Sequence, residues 1–199
     1  MQKSNFILKS VFPALLILFL FDACNNSSTG ETSDLSKYTI VSIPGSDLQK
    51  ATFSNKDGFI LEQGYVLDGM KEGQWSYYGT SGEVLLKIEN YHQGLLFGHV
   101  LELNPRFELT KRALHVSGKQ DGYFAEYKRS RKKKEGYYNK GVRHGRQTQY
   151  HDYSDKILSE ADYQEGKQHG IYKYYDDKGN VTLDYLYENG EKVSGGISK

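Results

Sequence analysis

Three things are scarce in this sequence: cysteine, charge of one sign, and aliphatic residues beyond the first two dozen positions. Cys24 is the only cysteine, which excludes a disulfide within the chain. The 26 basic and 25 acidic residues leave a net charge of +1, without the basic excess that is typical of nucleic-acid-binding proteins. The shortage of aliphatic side chains favours a thin, extended sheet over a globular core.

Motifs of catalysis, nucleotide binding and metal binding are absent as well. No G-x-x-x-x-G-K-[ST] or G-x-G-x-x-G opens a helix, and no Ser-His-Asp set has a motif context. His144 and His169 hold equivalent places in a repeat, about 10 Å apart, whereas zinc ligands lie about 2 Å from the metal. Asp176 and Asp177 lack the spacing of a calcium loop. We therefore predict a protein without catalytic residues, metal or cofactor.

The beginning of the chain has the pattern of an export signal. Lys3 and Lys9 precede an apolar run over residues 11–21, which is too short for a membrane-spanning helix of about 20 residues. Ala23-Cys24 resembles the lipobox of bacterial lipoproteins, in which the cysteine becomes the lipid-carrying N-terminus. We predict a signal peptide over residues 1–23, a lipid on Cys24 and anchoring in the bacterial cell envelope, at the outer membrane. Plain secretion and an uncleaved anchor are the alternatives.

Residues 24–36 read as a flexible tether that follows the lipidated cysteine. The stretch NNSSTGETSDLS at residues 25–36 is rich in Ser, Thr and Asn and has almost nothing to bury. Residues 37–63 follow with the strand-like segments YTIVSI and GFILEQG, the second of which runs on to Gly64. We expect capping strands there.

A repeat of about 24 residues governs the remainder of the chain. G-x-x-x-G recurs at residues 69–73, 94–98, 118–122, 141–145 and 166–170, with a stretched copy at 190–195. The leading glycines are 25, 24, 23, 25 and 24 residues apart. Tyrosine recurs in phase with them, and a second turn signal lies in the middle of several copies, as in GTSG at residues 79–82 and DDKG at residues 176–179.

Each copy predicts two strands joined by tight turns. Val84, Leu86 and Ile88 alternate with other residues, which is the period of a half-buried strand, and glycine punctuates such strands as tight turns. Trp75 and Tyr78 are three positions apart and should point to opposite faces, unless a bulge re-aims one of them. We predict an all-β fold, a single elongated antiparallel sheet of about six hairpin repeats over residues 64–195, followed by a frayed tail at 196–199.

These residues resemble a known family. GMKEGQWSYYGTSG at residues 69–82, GVRHGRQTQY at 141–150 and GKQHGIYKYYDDKG at 166–179 resemble MORN repeats, and more closely the bacterial MORN-repeat-variant family described as antitoxin-like. The resemblance covers about residues 58–195. It implies an elongated β-sheet that acts as a non-catalytic protein-interaction module, with self-association among the properties of the family.

Two sets of residues are candidates for binding. Aromatic side chains that recur in phase would form a recognition strip wherever they lie on an open face, because Tyr and Trp are favoured at interfaces. That set is Trp75, Tyr78, Tyr127, Tyr150, Tyr172 and Tyr175. The second set is a basic run that replaces a mid-repeat turn and could contact anionic lipid or an acidic partner. It comprises Lys128, Arg129, Arg131, Lys132, Lys133 and Lys134.

The sequence therefore predicts a membrane-anchored envelope lipoprotein that binds a protein partner and does not bind nucleic acid. Two alternatives stay open: an antitoxin or immunity protein that neutralises a toxin, and a protein that binds glycan or cell wall. The identity of the partner and the side of the membrane that it approaches are left open too.

Overall fold

A computed structural model describes residues 33–198 of the chain. The predicted signal peptide and Cys24 lie outside the described residues. Within residues 33–198 all regular elements are β-strands, and fifteen of them form one antiparallel sheet in sequence order. The predicted all-β meander is confirmed. At about 4.8 Å per strand, the sheet is roughly 60 Å long.

The strands have the following bounds. They are β1 Thr39–Ser42, β2 Gln49–Ser54, β3 Ile60–Leu67, β4 Met70–Tyr78, β5 Leu85–His92, β6 Leu95–Leu96, β7 Gly98–Leu103, β8 Leu109–Val116, β9 Lys119–Lys128, β10 Arg131–Asn139, β11 Val142–Tyr150, β12 Ile157–Gln164, β13 Lys167–Tyr175, β14 Val181–Glu188 and β15 Glu191–Ile197. The two-residue β6 pairs with β5 and lies off the main path.

The six leading glycines lie in two-residue turns along one long edge of the sheet. In the β3–β4 turn, Asp68 and Gly69 both have positive φ angles, 50° and 75°. This is the type I′ geometry that suits the twist of a hairpin. The second turn position is glycine in every copy because a side chain costs energy at such angles. We call this edge the entry edge, since Ser33 donates its backbone N–H to the carbonyl of Gly69 there.

The turns on the opposite long edge, which we call the free edge, use side-chain caps. Asn55, Asn104 and Asp176 hold the same place, and each Oδ1 accepts backbone N–H groups two and four residues later. Phe107 has a φ of 60° and is 60% exposed, where the sister turns place Gly58 and Gly179. A bulky residue is uncommon in that conformation.

The two faces of the sheet differ in what they bury. Face A carries Trp75, and face B carries its neighbour Ser76; cross-strand partners share a face. The ring of Trp75 lies over Gly64, where a Cβ would come within 2.3 Å of the indole. A central column on face A continues from this pair across the sheet and combines large side chains with small ones. It runs through Gly64, Trp75, Glu89, Val100, Ala113, Phe124, Gly136, Gln147, Ala161, Tyr172 and Tyr185.

Both faces carry aromatic residues, which settles the question raised by Trp75 and Tyr78. Tyr78 lies on face B, where its hydroxyl accepts a hydrogen bond from Gln63, the strand partner of Ser76. The sheet has an irregular register between Tyr77 and Tyr78, but this bulge does not bring Tyr78 to the face of Trp75.

Three predicted boundaries are wrong. Residues 33–36 are not part of a flexible tether, because Leu35 packs against the core and Ser33 is bonded to the sheet. The boundary at 63/64 falls inside β3, so the cap and the first repeat share a strand. Residues 196–198 are not frayed, because Ile197 pairs with Leu183 and the N–H of Ser198 bonds to Thr182.

Candidate functional site

The first copy of the repeat buries an aromatic cluster on face A beneath the chain's own N-terminal segment. Trp75 is completely buried. Tyr38 meets it edge to face with ring centroids 5.3 Å apart, and Tyr91 does so at 6.3 Å. Leu35 packs on the same cluster. We call residues 33–38 the cover segment, because they lie across the aromatic column at this end of the sheet.

The ammonium group of Lys71 lies inside this cluster. Its Nζ atom is 4.1 Å from the ring centre of Trp75, 5.1 Å from that of Tyr91 and 5.5 Å from that of Tyr77. Cations are attracted to the faces of such rings. Burial lowers the pKa of Lys71, although nearby Glu62 acts in the opposite direction. The cluster is thus an aromatic cage that the protein fills with its own cation.

Glu62 fastens the cover segment to the sheet. Lys37 donates from Nζ to Oε1 of Glu62 at 2.5 Å, and the hydroxyl of Tyr38 donates to Oε2 at 2.5 Å. Burial by itself would raise the pKa of Glu62, but these hydrogen bonds outweigh it and lower the pKa. Face A therefore holds a turn of the chain's own N-terminal segment through an aromatic contact and a carboxylate.

At the other end of face A, the matching positions are open. We call Tyr172, Tyr174, Tyr185 and Tyr187 the tyrosine surface. Tyr172 and Tyr185 stack with centroids 6.2 Å apart and planes 15° apart, and Tyr187 meets both of them edge-on. Tyr174 is 36% exposed. No described segment lies across these rings as the cover segment lies across Trp75.

Charged side chains of alternating sign separate the two aromatic ends of face A. They are cross-strand partners along successive strands, and Lys111 lies 3.5 Å from Glu102. The series is Lys87, Glu102, Lys111, Glu126 and Lys134. Opposite charges on facing strands stabilise a sheet modestly, so this part of the face needs no cover.

On face B, three of the tyrosines that recur in phase form hydrogen bonds with residues fifteen positions earlier. Tyr175 donates to Oε2 of Glu160 at 2.7 Å, and Tyr150 donates to Oε1 of Glu135. Tyr78 accepts from Gln63 at 2.8 Å. Burial, followed by the bond to Glu160, raises the pKa of Tyr175 to about 12. These hydroxyls are engaged within the sheet.

Glu135 is the centre of the face B network. Tyr123 donates to its Oε2 at 2.5 Å, Tyr150 to its Oε1, and Lys132 to its Oε2 at 3.0 Å. Burial would raise the pKa of Glu135, but the three donors together lower it.

We expect Glu135→Gln to destabilise the protein by about 1–3 kcal/mol near pH 7, because two half-buried tyrosine hydroxyls and Lys132 lose a charged acceptor. A carboxylate with a lowered folded pKa stabilises above its unfolded pKa, and this stabilisation is lost as the pH falls through the folded pKa. The difference between wild type and variant should therefore shrink below about pH 4. Urea unfolding at several pH values measures this, with Glu165→Gln in an exposed turn as control. A difference that stays constant with pH would contradict the account.

The structure does not bring the six candidate aromatic residues onto one strip. Trp75 and Tyr172 lie on face A, whereas Tyr78, Tyr127, Tyr150 and Tyr175 lie on face B. The choice of Trp75 as a surface residue was wrong. Gly64 leaves room for its ring on the sheet and the cover segment closes over it. The five tyrosines are half-buried.

The basic run forms the β9–β10 hairpin at the free edge. Arg129 and Ser130 occupy the turn with φ angles of 53° and 60°. The side chains reach the next hairpin of this edge: Lys128 lies 2.6 Å from Asp152, and Lys133 lies 3.8 Å from the same carboxylate. Lys134 lies on face A beside Phe124, at 5.8 Å from its ring centre.

The histidines of the repeat make no common site. The backbone N–H of Asn189 lies 3.3 Å from Nδ1 of His169, and His144 is the strand partner of Tyr137. In the part of the chain that the structure describes, no three His, Cys, Asp or Glu side chains are grouped to hold a metal ion. The same residues contain no helix that is long and apolar enough to cross a membrane.

Sequence reasoning missed Lys71 and Leu35. Lys71 stands two residues after a leading glycine, and the same position holds Arg143 and Lys192 in later copies. Arg143 and Lys192 also lie over tyrosine rings, at 5.3 and 4.4 Å. This recurrence of cations is a signal that could have been found. Leu35 is the single apolar residue in residues 25–36.

Comparisons with protein-family models and with curated proteins found no match to this chain.

Proposed function

We propose that this protein is a lipid-anchored lipoprotein of the bacterial envelope whose sheet binds another polypeptide without catalysis. One observation carries the proposal: face A already buries a segment of its own chain, with a turn at residues 35–38, over Trp75. The tyrosine surface presents rings in the matching positions at the other end of the same face. The resemblance to MORN-repeat variants agrees with an interaction module.

The tyrosine surface is the proposed contact. Tyrosine offers a large, rigid contact area and a hydroxyl for hydrogen bonding, which makes it a frequent anchor at interfaces. Tyr174 and Ile197, which are both strand partners of Leu183, are 36% and 80% exposed. A partner segment laid across them would bury these side chains in the way that the cover segment buries Trp75.

Affinity capture from envelope extracts tests this proposal with two matched variants of β13. Tyr174→Asp places a charge on face A, and Ile171→Asp places one on face B, where Ile171 is 43% exposed. We expect Tyr174→Asp to lower recovery of the captured partner at least about tenfold, while Ile171→Asp retains it. Equal recovery with both variants, or loss with Ile171→Asp alone, would move the contact off face A.

Glycan binding is the second candidate, and the stacked pair of Tyr172 and Tyr185 favours it. The two rings are nearly parallel, with the ammonium group of Lys192 over the ring of Tyr185, and aromatic rings can stack on the apolar faces of sugars. Glycan binding predicts that the protein is retained on cell-wall polysaccharide and is eluted by free saccharide. It also predicts that Tyr172→Ala is not retained, and these results together would favour a glycan over a protein partner. A tight complex of one-to-one stoichiometry with a toxin would instead identify an immunity protein.

A further inference from the structure

The basic hairpin holds its arginines in fixed positions. β9 and β10 are paired up to Lys128 and Arg131, so the turn contains only Arg129 and Ser130. Both turn residues have positive φ angles, as a type I′ hairpin requires. The side chains at this tip therefore project from an ordered turn.

Two guanidinium groups converge on one residue of the neighbouring hairpin. Cζ of Arg129 lies 5.2 Å from the ring centre of Tyr153, and Nη1 of Arg131 donates to the backbone oxygen of Tyr153 at 2.8 Å. Tyr153 is 73% exposed. Stacking and a single hydrogen bond fix the two groups near each other and leave several of their five N–H donors available.

Three of the four lysines of the hairpin are already paired with carboxylates, and the fourth, Lys134, lies over the ring of Phe124 on face A. Lys128 and Lys133 share Asp152, and Lys132 binds Glu135 at 3.0 Å. Among residues 33–198, neither Arg129 nor Arg131 has a carboxylate within 4.0 Å of its nitrogen atoms. The positive charge without a partner at this tip thus belongs to the arginine pair.

The surroundings of the arginine pair favour a compact anion over a charged membrane as its ligand. A bilayer is flat and would meet neighbouring turns of the free edge together, and those turns carry mixed charge: Asp155, Asp176 and Asp177 with Lys156 and Lys178. The chain enters at the opposite edge, beside Gly69, roughly 30 Å away along strands of about nine residues. The argument from distance rests on the lipid anchor proposed above. An anchor at the beginning of the chain would hold the entry edge near the membrane and leave the free edge away from it.

We propose that Arg129 and Arg131, held by Tyr153, form a clamp for carboxylates on an acidic segment of a partner protein. Arginine pairs bind carboxylates through two parallel N–H···O bonds each. The clamp lies on the free edge and is separate from the tyrosine surface on face A, so the protein has two independent contacts for partners.

Binding of a synthetic peptide of about eight glutamates to the soluble domain tests the clamp. We expect Arg129→Gln/Arg131→Gln to weaken this binding at least about tenfold and to flatten its dependence on salt. Lys56→Gln/Lys178→Gln removes the same charge from turns of the same edge and should leave the affinity within about threefold. A glutamine peptide of equal length serves as the neutral probe.

Three outcomes would overturn the clamp. The first is that the wild-type domain does not bind the glutamate peptide, and the second is that the control pair loses as much affinity as the arginine pair. The third is binding that depends on the arginines but is directed to vesicles with anionic headgroups and not to the peptide, which would assign the edge to a membrane. Tyr174→Asp tests the clamp separately from the tyrosine surface. This variant should bind the glutamate peptide as the wild type does, so a failure of the proposed contact on face A would not affect the test of the clamp, and the reverse also holds.

Discussion

Replacing Trp75 with alanine is expected to lower the free energy of unfolding by about 3–5 kcal/mol, the usual cost of removing a large aromatic side chain from a core. Trp75 is fully buried, and it joins Gly64, the cover segment and Lys71 in one cluster. Its loss therefore leaves a cavity and also removes the surface that holds Tyr38. Chemical denaturation followed by circular dichroism measures the change.

The close approach of Trp75 to Gly64 supplies a sharper form of this prediction. A methyl group at residue 64 would lie 2.3 Å from the indole, so Gly64→Ala alone should cost about 1–3 kcal/mol as overpacking. In a Trp75→Ala background the same change should cost much less, because the clashing ring is gone. Gly196→Ala is the matched control, since nothing lies within 4 Å of its added Cβ. Additive losses at residues 64 and 75 would contradict the packing described here.

The second large effect concerns the predicted anchor. Cys24→Ser should transfer the protein from the membrane fraction to the soluble fraction, because each buried methylene of an acyl chain contributes about 0.8 kcal/mol to membrane binding. Metabolic labelling with a fatty-acid analogue should mark the wild type and leave the variant unlabelled.

A moved cysteine gives the control for this experiment. Cys24→Ser/Ser28→Cys restores a thiol four positions later in the same polar stretch, but outside the Ala23-Cys24 pair that resembles a lipobox. We expect no label on this variant. Label on Cys24→Ser, or a wild type that remains soluble, would remove lipid anchoring from the proposal and leave the sheet and its contacts unaffected.

The architecture was predictable because glycine spacing controls it directly. Each leading glycine takes the second place of a type I′ turn, as Gly69 and Gly166 do, and this requirement repeats with the period of the sequence. A periodic turn and strands of alternating pattern leave few folds other than a meander.

The binding surfaces were less predictable. The face on which a side chain lies depends on the register of the strands, and its exposure depends on segments that are distant in the sequence. Tyr172 and Tyr175 look alike in the sequence, but one lies on face A and the other bonds to Glu160 on face B. Trp75 looked like a surface candidate until a segment with the single apolar residue Leu35 was found to cover it. The pairs fifteen residues apart become visible only when the register is known.

The central claim is that face A is where this protein binds another polypeptide, and photo-crosslinking tests it most directly. A photoreactive phenylalanine at residue 174 lies on face A, and one at residue 171 lies on face B of the same strand, with similar exposure of the native side chains, 36% and 43%. In the intact bacterium, we predict one discrete crosslinked protein from residue 174 and none from residue 171. Crosslinks of equal strength from both positions, or from residue 171 alone, would contradict the account.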